Sequence, residues 1–216
     1  MKKILISFSL VLFTIAGFAQ KLKPVKVDSL VTVSLPEKYV RKDTLGQTIL
    51  SGNSNFGYMV VIRAPNADGN KPLKKEKDLN KVLKDYIKGI KGQSDGAALN
   101  VRDTTVGHLK AKTFTLEVDE GQGIKLRNFI IIYTQPVTYT FEYYYENARK
   151  DIVKDEYKAF SSSIVLSQQL QRNDQYLSNA KGLSSGAKIG IYGGGALLIL
   201  LIIIFVIRKK KKTDDD

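Results

Sequence analysis

Cysteine is absent from the 216 residues, and histidine occurs once. Without cysteine the chain has no disulfide framework, no thiolate zinc site, no cysteine nucleophile and no N-terminal cysteine for lipid attachment. An exported domain must then be held by its apolar core alone, which about 150 residues can supply. Any Ser-His-Asp triad or histidine zinc site would rest entirely on His108. That residue stands in Gly107-His108-Leu109, a turn ahead of a strand, with no Gly-x-Ser-x-Gly motif to accompany it. Neither a phosphate loop nor a dinucleotide fingerprint occurs. Glu117, Asp119 and Glu120 are spaced to pair for acid–base work or to hold a cation, but Gly121 and Gly123 beside them make a hydrated hairpin tip the better reading. The sequence thus specifies no catalytic residue, no metal site and no cofactor. Its alternative reading, a carboxylate-dependent cell-envelope hydrolase, requires a deep pocket that brings Glu117, Asp119 or His108 together.

What is present begins with two apolar ends. Lys2 and Lys3 precede an apolar stretch from Ile4 to Phe13, and Gly17 and Ala19 supply the small side chains a signal peptidase requires. Residues 1–19 are therefore read as a signal peptide. Near the other end, Ile189 to Ile207 carries no charge over 19 residues, and a helix of that length rises about 28 Å, close to the hydrocarbon thickness of a bilayer. Arg208 and Lys209 to Lys212 follow at once and resist translocation. Residues 188–207 are read as one transmembrane helix and 208–216 as a basic cytoplasmic tail. Just before and within this helix Gly186, Gly190 and Gly194 recur every fourth residue, a spacing that lets two backbones approach, so Gly190 and Gly194 are candidates for homodimerisation. Glycine is also common in membrane helices, and Gly193 and Gly195 blur the face.

The net charge of +13 invites a nucleic-acid reading. Lys2 and Lys3 carry two of these charges, Lys188 one and the tail a net two, which leaves +8 for residues 20–187. An exported domain meets little nucleic acid, so anionic head groups, an acidic polymer or an envelope protein are the expected partners.

Residues 20–166 carry the folded domain. Leu30 to Leu35 alternates with period two and stops at Pro36; Thr48–Ser51 and Tyr58–Ala64 flank the turn-prone Gly52 to Asn55. Asp78 is placed to cap a helix whose Leu79, Val82, Leu83, Tyr86, Ile87 and Ile90 recur at spacings of three and four, with Gly92 as its stop. The other face of that helix holds Lys77, Lys81, Lys84, Lys88 and Lys91, candidates for binding an anionic surface, although such runs usually serve solubility. Strands over Leu99–Thr105, Ala111–Val118, Ile124–Tyr133 and Val137–Tyr145 follow with short links, hence as antiparallel neighbours. In the last, Val137, Tyr139, Phe141, Tyr143 and Tyr145 share a face and read as core rather than as a carbohydrate platform. A second helix from Ala148 sets Ile152, Val153, Tyr157, Phe160 and Ile164 on one side, with Glu156 as the exception. Residues 167–187 are polar and are read as a tether. The fold class expected is α+β, an antiparallel sheet with two packed helices, followed by the tether and the C-terminal transmembrane helix.

This element order, with Leu30-Val31-Thr32-Val33-Ser34-Leu35-Pro36, Phe114-Thr115-Leu116-Glu117, Arg127-Asn128-Phe129 and Tyr157-Lys158-Ala159-Phe160, resembles the PsbP-like family over about Val27 to Leu166. The resemblance implies a small sandwich-like domain that serves as a binding or assembly accessory, without a shared catalytic set and without functional residues to carry over. Together these readings place a single-pass protein in a bacterial inner membrane, its domain in the periplasm and its C-terminus in the cytoplasm. In a Gram-positive or eukaryotic host the domain would face the cell exterior.

Overall fold

Residues 22–67, 72–119 and 121–178 are described by a computed structural model of the chain. They form an α+β domain with antiparallel pairing throughout, built on two sheets rather than one. The smaller joins β1 (Leu22–Lys26), β2 (Val31–Pro36) and β10 (Val165–Leu166), with β2 in the middle. The larger has seven strands, in spatial order β3 (Val40–Thr44), β4 (Gln47–Asn53), β5 (Tyr58–Pro65), β9 (Val137–Glu146), β8 (Ile124–Tyr133), β7 (Leu109–Asp119) and β6 (Ala97–Val106). Helix α1 (Glu76–Ser94) connects β5 to β6, and α2 (Lys154–Ser162) follows β9.

Period-two side chains divide the large sheet between two cores. Tyr139, Phe141 and Tyr143 of β9 are buried on one face, against Val31, Val33 and Leu35 of β2 and Phe160 of α2. The aromatic row is core, as its alternation predicts. On the other face Phe114 and Phe129 stack across β7 and β8 with ring centroids 4.6 Å apart. Leu79, Leu83 and Ile87 of α1 pack on that face. Each contributes about 2 kcal/mol by leaving water, so α1 is held mainly by the packing of its apolar face, as most helices in folded proteins are. The large sheet is therefore the middle layer, with α1 on one side and the small sheet plus α2 on the other.

Four local expectations shift. Asp78 lies one turn inside α1 and caps it from there: its carboxylate accepts the N–H of Lys75 at 3.0 Å, and its own N–H donates to the Lys75 carbonyl at 2.9 Å. The helix runs through Gly92 and stops at Asp95, whose φ of 47° is left-handed. Residues 147–149 form a 3₁₀ turn, so α2 starts at Lys154 and Ile152 is exposed. Glu156, the exception in the apolar stripe of α2, accepts the backbone N–H of Asn55 at 3.0 Å and of Phe56 at 3.1 Å, and the Tyr143 hydroxyl at 2.7 Å. Its carboxylate thereby clamps the β4–β5 turn.

The fourth shift concerns the tether. Residues 167–178, expected to be its first half, are folded onto the domain: Leu170, Gln175 and Tyr176 are buried, and the Ser167 N–H donates to the Leu30 carbonyl at 2.8 Å. Gln175 is fully buried; its Oε1 accepts the Lys110 N–H at 2.9 Å, and its Nε2 donates to the carbonyls of Lys110 at 2.7 Å and Tyr133 at 2.9 Å. A polar side chain here completes a backbone ladder where a strand would otherwise be needed. Among the described residues no helix is long and apolar enough to cross a membrane. The signal peptide 1–19, residues 179–187 of the tether, the anchor 188–207 with Gly190 and Gly194, and the tail 208–216 lie outside the described residues.

Candidate functional site

Helix α1 covers only half of its face of the large sheet. Its buried side chains sit on β7 and β8, and its flank toward β9 is marked by Tyr86, whose hydroxyl shares a 2.9 Å hydrogen bond with that of Thr140. Beyond this line the same face of β9, β5 and β4 has no covering element among the described residues. A groove with a cavity of about 800 Å³ runs there, floored by Ile49, Val60 and Ile62 and closed at one end by Gln93 to Asp95 of the α1 terminus. A second pocket of about 340 Å³ lies further along α1, between Val82 and Tyr86 on the helix and Ala64 and Thr138 on the sheet.

Within the groove Arg127 and Glu142 pair in two-pronged fashion, Nε to Oε1 at 2.5 Å and Nη2 to Oε2 at 3.0 Å. The guanidinium also lies 5.2 Å from the Phe129 ring, and Lys125 reaches over the Tyr144 ring at 5.9 Å. Glu142 is buried, and its bidentate partner offsets the cost of taking a carboxylate out of water. The groove is thus apolar along β4 and β5 and charged along β8 and β9, a lining that suits binding rather than proton transfer, since its carboxylate is already engaged.

Lys77, Lys81, Lys84, Lys88 and Lys91 are all exposed, on the face of α1 turned away from the sheet. Among the described residues none of the five has an ion-pair partner. The acidic residues of the first turn are otherwise engaged: Glu76 pairs with Lys110 at 3.0 Å and holds that ammonium above its ordinary pKa, while Asp78 serves the cap. The basic face and the open groove consequently lie on one side of the large sheet.

The residues of the hydrolase alternative do not converge. His108 follows Gly107, whose φ of 54° makes the tight turn between β6 and β7, and its Nε2 meets the Leu170 carbonyl, tying the C-terminal segment to that hairpin. Glu117 and Asp119 lie at the far end of β7, about 30 Å away along the strand. Asp119 there accepts the Gly121 N–H at 2.9 Å, the hairpin tip read from the glycines. Among the described residues no three His, Asp or Glu side chains are grouped to hold a metal ion.

Sequence reasoning missed the groove. Its signal was nevertheless there: in β5 Tyr58, Val60 and Ile62 are as apolar as Met59 and Val61, the mark of a strand buried on both faces. Among the described residues only one of those faces is covered.

No family model matches the chain, and no curated protein matches it by sequence. Among solved structures it is similar to the solution structure of cyanobacterial PsbP (CyanoP) from Synechocystis sp. PCC 6803, with a TM-score of 0.52 and 16% identity over 70% of this chain and 95% of that one. A crystal structure from Bacteroides thetaiotaomicron matches with a TM-score of 0.40 and 10% identity over 64% of this chain and 46% of that one. The described domain has the PsbP fold, and the resemblance read from its sequence holds at that level.

Proposed function

We propose that this chain is a non-catalytic binding or accessory module of the cell envelope, tethered to a bacterial inner membrane with its folded domain in the periplasm and its C-terminus in the cytoplasm. It presents the α1 side of that domain to an anionic surface, in the first place the head groups of the bilayer that carries it. The observation that carries this reading is the lysine face of α1, five exposed ammonium groups without acidic partners among the described residues. Each lysine near an anionic leaflet is worth about 1 kcal/mol. The attraction dies away within a Debye length of about 8 Å at physiological salt, so it acts on a surface the tether already keeps close. The groove beside α1 then gives an envelope protein an apolar floor to dock on. A PsbP fold in which His108, Glu117 and Asp119 do not converge is compatible with an accessory role.

The chain's lack of cysteine makes the test direct. Gly89, on α1, has open space around an added Cβ, and Gly89→Cys in the full chain offers a single site for a fluorophore. Lys158→Cys on α2 labels the other side of the large sheet. In reconstituted vesicles, energy transfer from the Gly89→Cys label to a head-group acceptor should rise when anionic lipid is added. It should fall again with Lys81→Glu, Lys84→Glu and Lys88→Glu together, while the Lys158→Cys label should show no such gain. Transfer indifferent to both lipid charge and charge reversal would refute the reading.

A further inference from the structure

The face of the large sheet opposite α1 carries a feature that the lysine face does not involve. Where β6 and β7 extend past α2, two adjoining cavities of about 310 and 250 Å³ share Arg102, Thr113 and Tyr157. They form one trough whose floor is β7 and β8 and whose walls are β6 and α2. The larger is of the size at which small-molecule sites begin, about 300 Å³.

Its construction is irregular in an informative way. Asn100, Val101 and Arg102 line the trough where β6 departs from regular strand geometry. The pairing of β6 with β7 is broken between Leu99 and Arg102, and Asn100 has a φ of 54°. A bulge with a left-handed residue other than glycine costs backbone energy and re-aims side chains, as bulges beside binding sites do. Here it adds an amide to the cavity wall next to the guanidinium.

The chemistry of the lining is one-sided. Arg102 makes no ion pair and no side-chain hydrogen bond among the described residues. No carboxylate lines either cavity, and the remaining polar groups are hydroxyls and amides, with Ser161 and Ser162 of α2 on one wall. The Thr115 hydroxyl donates to Asn128 Oδ1 at 2.8 Å, which fixes that amide, and its Nδ2 has only a long 3.4 Å contact with the Tyr145 hydroxyl. Ser161 and Thr113 donate their own protons to the carbonyls of Lys158 at 3.1 Å and Phe129 at 2.7 Å, which leaves their oxygens as acceptors; one unpaired cation amid neutral hydroxyls and amides suits a ligand with a single anionic group and several hydroxyls.

We infer that this trough binds an acidic sugar unit, with Arg102 on its carboxylate or phosphate and Asn100, Asn128, Tyr157 and Ser161 toward its hydroxyls. The test uses the full chain in uncharged detergent, titrated calorimetrically with glucuronate, glucose 6-phosphate, glucose and inorganic phosphate. At least one acidic sugar should bind, and whichever binds more tightly identifies carboxylate or phosphate as the recognised group. Arg102→Gln should weaken that binding tenfold or more and Asn128→Ala severalfold, with both variants retaining the circular dichroism of the parent. Charge reversal at Lys81, Lys84 and Lys88 should leave it unchanged, so the two proposals fail separately. No binding of either acidic sugar, equal binding of glucose, inorganic phosphate binding as tightly as glucose 6-phosphate, or an Arg102→Gln variant that binds like the parent would each overturn the inference.

Discussion

Replacing Gln175 tests whether the segment after β10 is part of the fold or merely rests on it. The side chain is fully buried and makes three hydrogen bonds, one accepted from the Lys110 N–H and two donated to the carbonyls of Lys110 and Tyr133. Gln175→Ala leaves these backbone groups without partners in a buried setting, at about 1 kcal/mol or somewhat more for each, so a loss of about 3 to 4 kcal/mol is expected. Gln175→Glu is the sharper perturbation. It keeps the acceptor for Lys110 N–H but puts an oxygen where Nε2 lies 2.7 and 2.9 Å from two carbonyl oxygens. The carboxylate is therefore disfavoured and its folded-state pKa is raised. Above the unfolded value of about 4.3 the unfolded chain loses this proton first, so stability falls as pH rises, by about 1.4 kcal/mol per unit until the folded-state pKa is reached. Near about pH 5 the protonated acid can still donate to one carbonyl, and Gln175→Glu should be no worse than Gln175→Ala; near about pH 8 it should be the worse by about 2 kcal/mol or more. Urea unfolding of the full chain, followed by tyrosine circular dichroism because tryptophan is absent, measures both. A Gln175→Ala loss below about 1 kcal/mol, or a Gln175→Glu deficit that does not change between the two pH values, would refute the reasoning.

Two further outcomes follow from groups already described. Burial raises the pKa values of Tyr133, Tyr139, Tyr143, Tyr145 and Tyr157, and for Tyr139 the hydrogen bond to Asp28 at 2.7 Å raises it further. Unfolded tyrosines ionise near about pH 10, so above that pH the unfolded chain binds fewer protons and stability declines; tyrosinate absorbance should appear together with loss of the fold, and gradual ionisation of an intact domain would contradict this. In the anchor proposed for residues 188–207, Gly190→Ile and Gly194→Ile should abolish self-association in a membrane reporter assay if the fourth-residue spacing brings two copies together, and unchanged association would remove the homodimer.

The elements legible in the sequence are those with one clear period. Tyr58–Pro65, Leu109–Asp119, Ile124–Tyr133 and Val137–Glu146 alternate or run apolar, and α1 repeats at three and four. The three strands that escaped carry no such signal. β1 contains Pro24 and two lysines at a sheet edge, β3 is exposed along its whole length, and β10 has two residues. Because β1 and β10 flank β2, missing them hid the second sheet. The polar segment after β10 was misread for a related reason: composition reports the exposed Gln171 and Asn173, while the fold depends on Leu170, Gln175 and Tyr176 between and beside them. Of the candidate site, the lysine face was readable because helix period and charge coincide. The groove and the Arg102 trough were not, since each is made of strands far apart in sequence.

The folded segment after β10 also decides where load enters the domain. Near its end the Leu177 N–H donates to the Leu73 carbonyl and the Ser178 N–H to the Lys74 carbonyl, each at 2.9 Å. Were the chain held beyond Ser178 by the anchor proposed above, load would enter at the residues just before α1, and the domain would pivot about the start of its basic helix. With 19 residues α1 is a lever of about 28 Å, on which Lys77 stays beside the pivot and Lys91 travels farthest. On that proposal, tilt alone would change how many of the five lysines reach a surface, and contact would be graded without any rearrangement inside the fold.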